Sequence, residues 1–233
     1  MLPRLINLAG SAFDFLFPRK CVWCGREGAF ICPSCKDELS PITSPVCSRC
    51  GRPLLKGSIC ASCVTWEAQI NGIRSAFRFE GVAREAVHQL KYSNLRAIAP
   101  ELAELMVPCY HEYAVPGDVL VPVPLHPKRT KERGYNQSAL IAREFGRFTG
   151  LAVNEDCLAR QRYTSPQART LNAAERQSNV SGAFVCRNRN LQGRRVILVD
   201  DVATSGATLN AGAAALKEAG ALSVWGLTFA REV

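Results

Sequence analysis

Two patterns in this 233-residue chain have the residue types and spacing for chemistry. The first is four Cys-x-x-Cys pairs: Cys21/Cys24, Cys32/Cys35, Cys47/Cys50 and Cys60/Cys63. They use eight of the eleven cysteines. Thiolates are good zinc ligands, and a two-residue gap lets both sulfurs of a pair face one ion. Two pairs close a four-thiolate site and leave no position for water, so the expected role is structural. The halves repeat each other: Cys21-Val-Trp-Cys-Gly25 matches Cys47-Ser-Arg-Cys-Gly51, and Ile31-Cys-Pro-Ser-Cys35 matches Ile59-Cys-Ala-Ser-Cys63. Tandem zinc ribbons built from adjacent pairs are expected, with a cross-braced pairing as the alternative. A disulfide framework is the competing reading, disfavoured by the repeated pairs and the lack of a secretory pattern.

The second pattern is the apolar run 196–199, followed by Asp200 and Asp201 and then by Thr204, Ser205, Gly206, Ala207 and Thr208. A buried strand would deliver two carboxylates at its end, and a small-residue loop would lead into a helix. Amides and hydroxyls at a helix N-terminus attract anions. Gly206 allows a phosphate close to the backbone. The carboxylates suit a vicinal diol or hydrated Mg²⁺. A sugar phosphate satisfies both halves. The plainer alternative is an ordinary strand–turn–helix capped by Thr204 or Ser205. The Gly-Lys-Ser/Thr of a Walker loop and the dinucleotide fingerprint are both missing.

The positioning elements read as α/β. Strands are expected at 73–80, 119–123, 183–186, 196–199 and 223–229, and helices at 82–92, 96–110, 136–148 and 208–219. Their alternation predicts a doubly wound parallel sheet, with ligands at the carboxyl ends of its strands. Leu5, Leu8, Ala9, Ala12, Phe13 and Leu16 recur at helical spacing and predict a short amphipathic helix.

Composition narrows the function further. Hydrophobic residues make up 47% and charged residues 21%, which excludes disordered and fibrous classes. No stretch reaches the roughly 18 apolar residues of a membrane span. The formal net charge is +9, and two zinc tetrathiolates would bring it nearer to about +5. Residues 126–195 hold 14 Lys/Arg against 5 Asp/Glu, so the excess sits in one stretch. Phosphate or nucleic acid is the matching partner. Lys128, Arg129 and Arg133 follow the 119–123 strand and read either as anion-binding residues or as a basic surface loop. Tyr135 and Tyr163 lie in the same stretch and suggest base stacking. Lys91, on an expected helix, reads either as a phosphate contact or, in the plainer reading, as a solvated side chain, and Cys109, Cys157 and Cys186 read as small buried residues.

The 196–208 run resembles the phosphoribosyl pyrophosphate (PRPP) motif of type I phosphoribosyltransferases. Together with the ribbons, Leu90-Lys-Tyr92, Val121-Pro-Val-Pro-Leu-His126, Arg133-Gly-Tyr-Asn-Gln137 and the spaced Arg162, Thr164, Gln167, Leu171, Arg176 and Asn179, it makes the whole chain similar to the ComF (GntX-like) family. The resemblance implies an order of 1–18 helix, 19–68 double ribbon and 69–233 phosphoribosyltransferase-like domain. It implies that Asp200 and Asp201 meet the ribose hydroxyls and residues 204–208 the 5′-phosphate. Lys128, Arg129 and Arg133 would meet pyrophosphate, and 160–179 would be a closing loop. Zinc and Mg²⁺ are the implied metals, and a cytoplasmic protein linked to DNA uptake or utilisation is expected. Two functions follow: phosphoribosyl transfer to an acceptor that the sequence does not name, or single-stranded-DNA binding or scaffolding in the uptake machinery, with PRPP as a regulatory ligand.

Overall fold

The computed structural model describes residues 18–162, 182–187 and 191–233. The amphipathic helix expected over 1–18, apart from Pro18, lies outside the described residues. So do Tyr163 and the expected closing loop beyond Arg162.

The apolar run organises the domain. Val196, Ile197, Leu198 and Val199 are all fully buried. Val196 and Leu198 belong to one hydrophobic cluster, Ile197 and Val199 to another. That is the period-two signature of a strand covered on both faces. The strand, β6, runs Arg195–Ala203 and sits in the centre of an all-parallel sheet. Its order is β1 (Gly72–Arg78), β7 (Ser223–Arg231), β6, β2 (Val119–Pro122), β3 (Ala152–Val153). Register fixes the working edge: Asp200 lies beside Thr228 and Ala203 beside Arg231.

Helices cover both faces, as a doubly wound sheet requires. On one side pack α3 (Gly81–Tyr92), α4 (Ala99–Glu112) and α6 (Gln137–Thr149), through Leu90, Met106 and Phe145. On the other packs α7 (Ala207–Glu218), through Leu209 and Leu216. Two expectations change. Residues 183–186 do form a strand, β5 (Phe184–Cys186), but it pairs antiparallel with β4 (Leu158–Arg160) outside the main sheet. The basic stretch after β2 is a helix, α5 (Pro127–Arg133), rather than a loop. It buries no residue, so hydrophobic periodicity does not reveal it. Its caps do: the His126 ring accepts the Lys128 N–H, Pro127 opens the helix, and Gly134 closes it at φ 78°.

The cysteine module lies against this domain. Each half contributes one short helix, α1 (Pro33–Asp37) or α2 (Ala61–Val64), which starts just after a ligand pair's first cysteine. The first half meets α4, where Glu101 accepts the Ile31 N–H and pairs with Lys36 at 3.0 Å. The second half is tied to β1. The Ile73 N–H donates to the Arg49 carbonyl at 2.8 Å, and the Arg74 guanidinium donates to the Ser48 carbonyl at 3.1 Å. Gly51 passes so close that a Cβ there would sit 2.3 Å from the Ile73 carbonyl oxygen, at a φ of +73°. Gly51→Ala is therefore expected to destabilise the protein by about 3 kcal/mol. A denaturation midpoint unmoved from wild type would show that this junction is looser than described.

Candidate functional site

The cysteine clusters resolve the pairing. Cys21, Cys24, Cys32 and Cys35 form one group and Cys47, Cys50, Cys60 and Cys63 the other, each with all sulfurs within 4.8 Å. Adjacent pairs, not crossed ones, share a site. The Cys24–Cys32 and Cys50–Cys60 sulfurs are 3.6 and 3.7 Å apart. A tetrahedral zinc with bonds of about 2.3 Å spaces its sulfurs by about 3.8 Å, so the clusters fit that ion. The thiols of each cluster differ in acidity. Burial opposes ionisation of Cys21 and Cys47, but surrounding backbone N–H groups bring each thiol down to about 6. Burial and the neighbouring cysteines hold Cys35 and Cys63 up. Four thiolates in one cluster need a cation.

Cys109 and Cys157 are buried as expected, and burial pushes both thiols up to about 12, so they are poor nucleophiles. Cys186 is only half-buried.

The acidic pair lies inside β6, whose pairing with β7 continues to Ala203. The two carboxylates differ. Asp201 is 2% exposed, and Lys91 pairs with its Oδ1 at 2.8 Å. Its Oδ2 is buried and accepts no hydrogen bond among the described residues. Asp200 is half-buried and accepts the Ser138 hydroxyl at 2.7 Å and the Asp201 N–H at 3.0 Å. Burial, and then the Asp201 charge, push its carboxyl up to about 7, against the pull of Ser138 and Lys91.

Lys91 corrects the sequence reading. It is not a solvated lysine but the partner of Asp201, at the last turn of α3. Burial disfavours its ammonium, yet Asp201 opposite holds its pKa above the ordinary value. Breaking a buried pair by removing one partner typically destabilises by 3–5 kcal/mol. Lys91 keeps 21% of its side-chain exposure, so Lys91→Met should lose roughly 2 kcal/mol. A thermal melt reads this directly, and wild-type stability in that variant would remove the ion pair.

The loop 204–208 follows β6. Gly206 adopts φ 81° as the N-cap of α7, and the Ser205 hydroxyl accepts the Ala207 N–H at 3.3 Å. A Cβ on Gly206 would sit 2.8 Å from Ile73 Cδ1 and 3.5 Å from the Trp66 ring, so the loop is held from below by β1 and by the cysteine module. Thr204, Ser205 and Ala207 line a cavity of about 320 Å³ against that module, and Thr208 stands in the first turn of α7.

The basic residues of α5 reach a second cleft. Arg129 and Arg133 line about 700 Å³ together with Lys91, Tyr92, Arg96 and Tyr135. Lys128 is not among its lining residues. The Arg133-to-Gln137 motif is a positioning device. Arg133 donates to the Gln137 side chain, and Asn136 caps α6 while donating to the Val123 carbonyl at 3.0 Å. That cap sets Ser138 against Asp200. Tyr135 is 7% exposed, donates its hydroxyl to the Leu90 carbonyl and is covered by Arg96 at 4.4 Å. It is not available to stack a base. Arg160, expected in a closing loop, is instead in β4, where Asp200 and Arg129 are its charged neighbours. Ser138 and Lys91 are thus site neighbours that sequence reasoning missed, and Arg160 is one that it placed in a loop instead of a strand.

Comparisons with known proteins agree with this layout. The model of the double zinc ribbon domain matches residues 12–64, and that of the phosphoribosyl transferase domain matches residues 155–231. Competence protein ComFC of Bacillus subtilis is 30% identical over 220 residues, which span 86% of this chain and 84% of that protein. The chain belongs to the ComF family. Competence protein F of Haemophilus influenzae is 29% identical over 91% of this chain and 97% of its own. DNA utilization protein YhgH of Escherichia coli is 29% identical over 83% and 87%. The ComF layout here is therefore a doubly wound phosphoribosyltransferase-type sheet preceded by two four-cysteine sites consistent with zinc. No helix among the described residues is long and apolar enough to cross a membrane.

Proposed function

We propose that this ComF-family chain binds PRPP and transfers its phosphoribosyl group to an acceptor with release of pyrophosphate, in the cytoplasm, in support of DNA uptake or utilisation. One observation carries the reading. Asp201, fixed by Lys91, keeps a sealed Oδ2 with no partner among the described residues, beside Asp200 and one short turn before a left-handed Gly206 that opens a helix. An unpartnered buried carboxylate oxygen is unfavourable in a free protein, and a ribose hydroxyl would satisfy it. The loop amides and the hydroxyls of Thr204, Ser205 and Thr208 suit the 5′-phosphate.

Breaking the bond from C1′ to pyrophosphate puts positive charge on the sugar and negative charge on the leaving group. Asp200 and Asp201 would stabilise the first, and Arg129 and Arg133, which line the cationic cleft, the second. Mg²⁺ suits this oxygen-rich pair, which would hold it through its waters, and it would add charge neutralisation at the pyrophosphate. The names of the family's relatives, competence and DNA utilization proteins, support the cellular role.

A second reading has its own support: a PRPP-regulated single-stranded-DNA-binding or scaffold protein of the uptake machinery. Tyr92 is 63% exposed and lies 5.6 Å beneath the Arg133 guanidinium, at the rim of the cationic cleft. An exposed aromatic ring beside a guanidinium suits a stacked base with a phosphate contact next to it. Calorimetric titration of zinc-loaded protein with PRPP and Mg²⁺, with and without a short single strand, separates the two. PRPP binding followed by pyrophosphate release with an acceptor supports transfer. Salt-sensitive DNA binding with no heat from PRPP would remove the transferase reading.

A further inference from the structure

Beyond the acidic pair and the phosphate loop lie buried cationic groups with no role so far. Arg231 ends β7, the strand beside β6, and its neighbour in register is Ala203, the last residue before the loop. It is 1% exposed, among the largest fully buried side chains in the protein. Its Nε and Nη1 find no hydrogen-bond partner among the described residues. A buried guanidinium with two unpaired N–H groups is strongly unfavourable unless something anionic completes it. Arg52 stands near it and is a like-charged neighbour. Its buried Nε is also without a partner among the described residues.

Both arginines line the 320 Å³ cavity that holds Thr204, Ser205 and Ala207 of the loop. They come from different parts of the chain: Arg52 follows the Cys50–Gly51 turn of the third Cys-x-x-Cys pair, in the second ribbon, and Arg231 lies at the working edge of the sheet. The third wall is Trp66, whose ring faces Gly206 and whose carbonyl is held by the Arg49 guanidinium at 2.7 Å. Cys50, Cys60 and Cys63 lie close enough to act on the Arg231 charge. A zinc tetrathiolate there carries about two negative charges, which helps to explain how two buried arginines coexist. It does not fill their N–H groups, because no hydrogen bond from either arginine to a sulfur is made among the described residues. Glu232 also lines the cavity, but it is exposed to water.

We infer that Arg231 and Arg52 form an oxyanion site beside the phosphate loop, so that the second cysteine ribbon is a wall of the ligand site and not a separate module. The planar fork of each arginine suits a phosphate or carboxylate. Two sources share this chemistry. One is the 5′-phosphate of the sugar ligand, held by the loop on one side and the arginines on the other. The second is an anionic group of the acceptor, bound next to the sugar. This inference rests on the sugar-phosphate reading of the loop, and its test is arranged to separate the two.

The full-length, zinc-loaded protein is titrated with ribose 5-phosphate, and separately with inorganic phosphate after saturation with PRPP and Mg²⁺. Arg231→Met, Arg231→Lys and Arg52→Gln are compared with wild type, and zinc is counted in each. If the arginines hold the sugar's own phosphate, ribose 5-phosphate weakens at least 10-fold in Arg231→Met and severalfold in Arg52→Gln, with two zinc retained. Arg231→Lys is expected to recover only part of the loss, because a lysine lacks the fork. If they hold the acceptor's anion, ribose 5-phosphate is unchanged, but phosphate binding to the PRPP-saturated protein disappears in the same variants. Should Arg231→Met fail to fold, Arg52→Gln, which alters a less buried side chain, still decides. Wild-type affinity in both titrations for the folded variants overturns the inference and leaves PRPP binding intact. Loss of zinc with unchanged phosphate affinity does the same, and makes Arg231 a counter-ion of the metal site. Absence of PRPP binding by wild type, with Arg231-dependent phosphate binding retained, would overturn the proposed function alone.

Discussion

Asp200→Asn should weaken PRPP binding about 100-fold and, in the same variant, make the ligand-free protein more stable at pH 8. The two halves come from one feature of the site. Asp200 is crowded by burial and by the Asp201 charge, which lift its carboxyl to about 7. In the unfolded chain an aspartate titrates near 3.9. The folded state therefore holds a proton that the unfolded state releases between about pH 4 and pH 7. Stability from this group is fully present below pH 4 and lost as pH rises through 7. Above that, the ionised pair strains the empty site. Asparagine keeps an oxygen to accept from Ser138 and carries no charge, so the penalty disappears, a gain of roughly 1–3 kcal/mol at pH 8 that fades toward pH 4. Binding moves the other way. A hydrogen bond to a charged acceptor contributes about 1.5–3 kcal/mol, and losing its charge at the ribose accounts for the expected fold-change. The observations needed are two denaturation curves per variant, at pH 5 and pH 8, and a PRPP titration. Asp200→Asn with lower stability at pH 8 and unaltered affinity would mean that the pair is a structural ion cluster and not a ligand site. Opposite signs in stability and binding would mark a site strained for its ligand.

How far such a site can be read from sequence depends on the range of the interactions that build it. The run 196–208 was legible because everything needed is local: four consecutive apolar residues, two acids, a glycine. The ribbons were legible for the same reason, as eight paired ligands in two repeats, but adjacent and crossed pairings separated only in three dimensions. Lys91 was not legible. Its helical spacing marks it as a polar position near the end of α3, and the carboxylate that captures it is 110 residues away. Ser138 is hidden in the same way, 62 residues from Asp200, although the Asn136 cap that aims it is a recognisable start signal. The α5 helix shows the opposite failure. Its signals are local and present, in Pro127 and Gly134, but a solvated basic helix has no apolar stripe, so only its caps mark it in the sequence. Tyr135 failed through burial: an aromatic among basic residues suggests stacking, whereas here it fills space under Arg96.

Removing one cysteine from each ribbon is expected to separate their roles, because the two ribbons lean on different parts of the domain. Wild-type protein should carry two zinc ions and each variant one. A structural four-thiolate zinc contributes on the order of 10 kcal/mol of folding free energy to a small module, so each loss should unfold its own half locally. Ribbon one contacts α4 through Glu101, Ile31 and Lys36, away from the phosphate loop. Cys24→Ser should therefore lower the melting temperature and leave PRPP affinity within about twofold of wild type. Ribbon two holds Trp66 through Arg49, whose guanidinium donates to the Cys63 and Trp66 carbonyls, and Trp66 lies against Gly206. With Cys47→Ser that wall collapses, Gly206 loses its backing and the loop is free to leave its left-handed turn. PRPP affinity should then fall at least 10-fold, beyond anything the change in global stability explains. Equal affinity in the two cysteine variants would mean that the loop is self-supporting. A difference between them would make the second zinc a determinant of ligand binding from outside the sheet, which accounts for two ribbons with matching ligands serving unequal purposes in one chain.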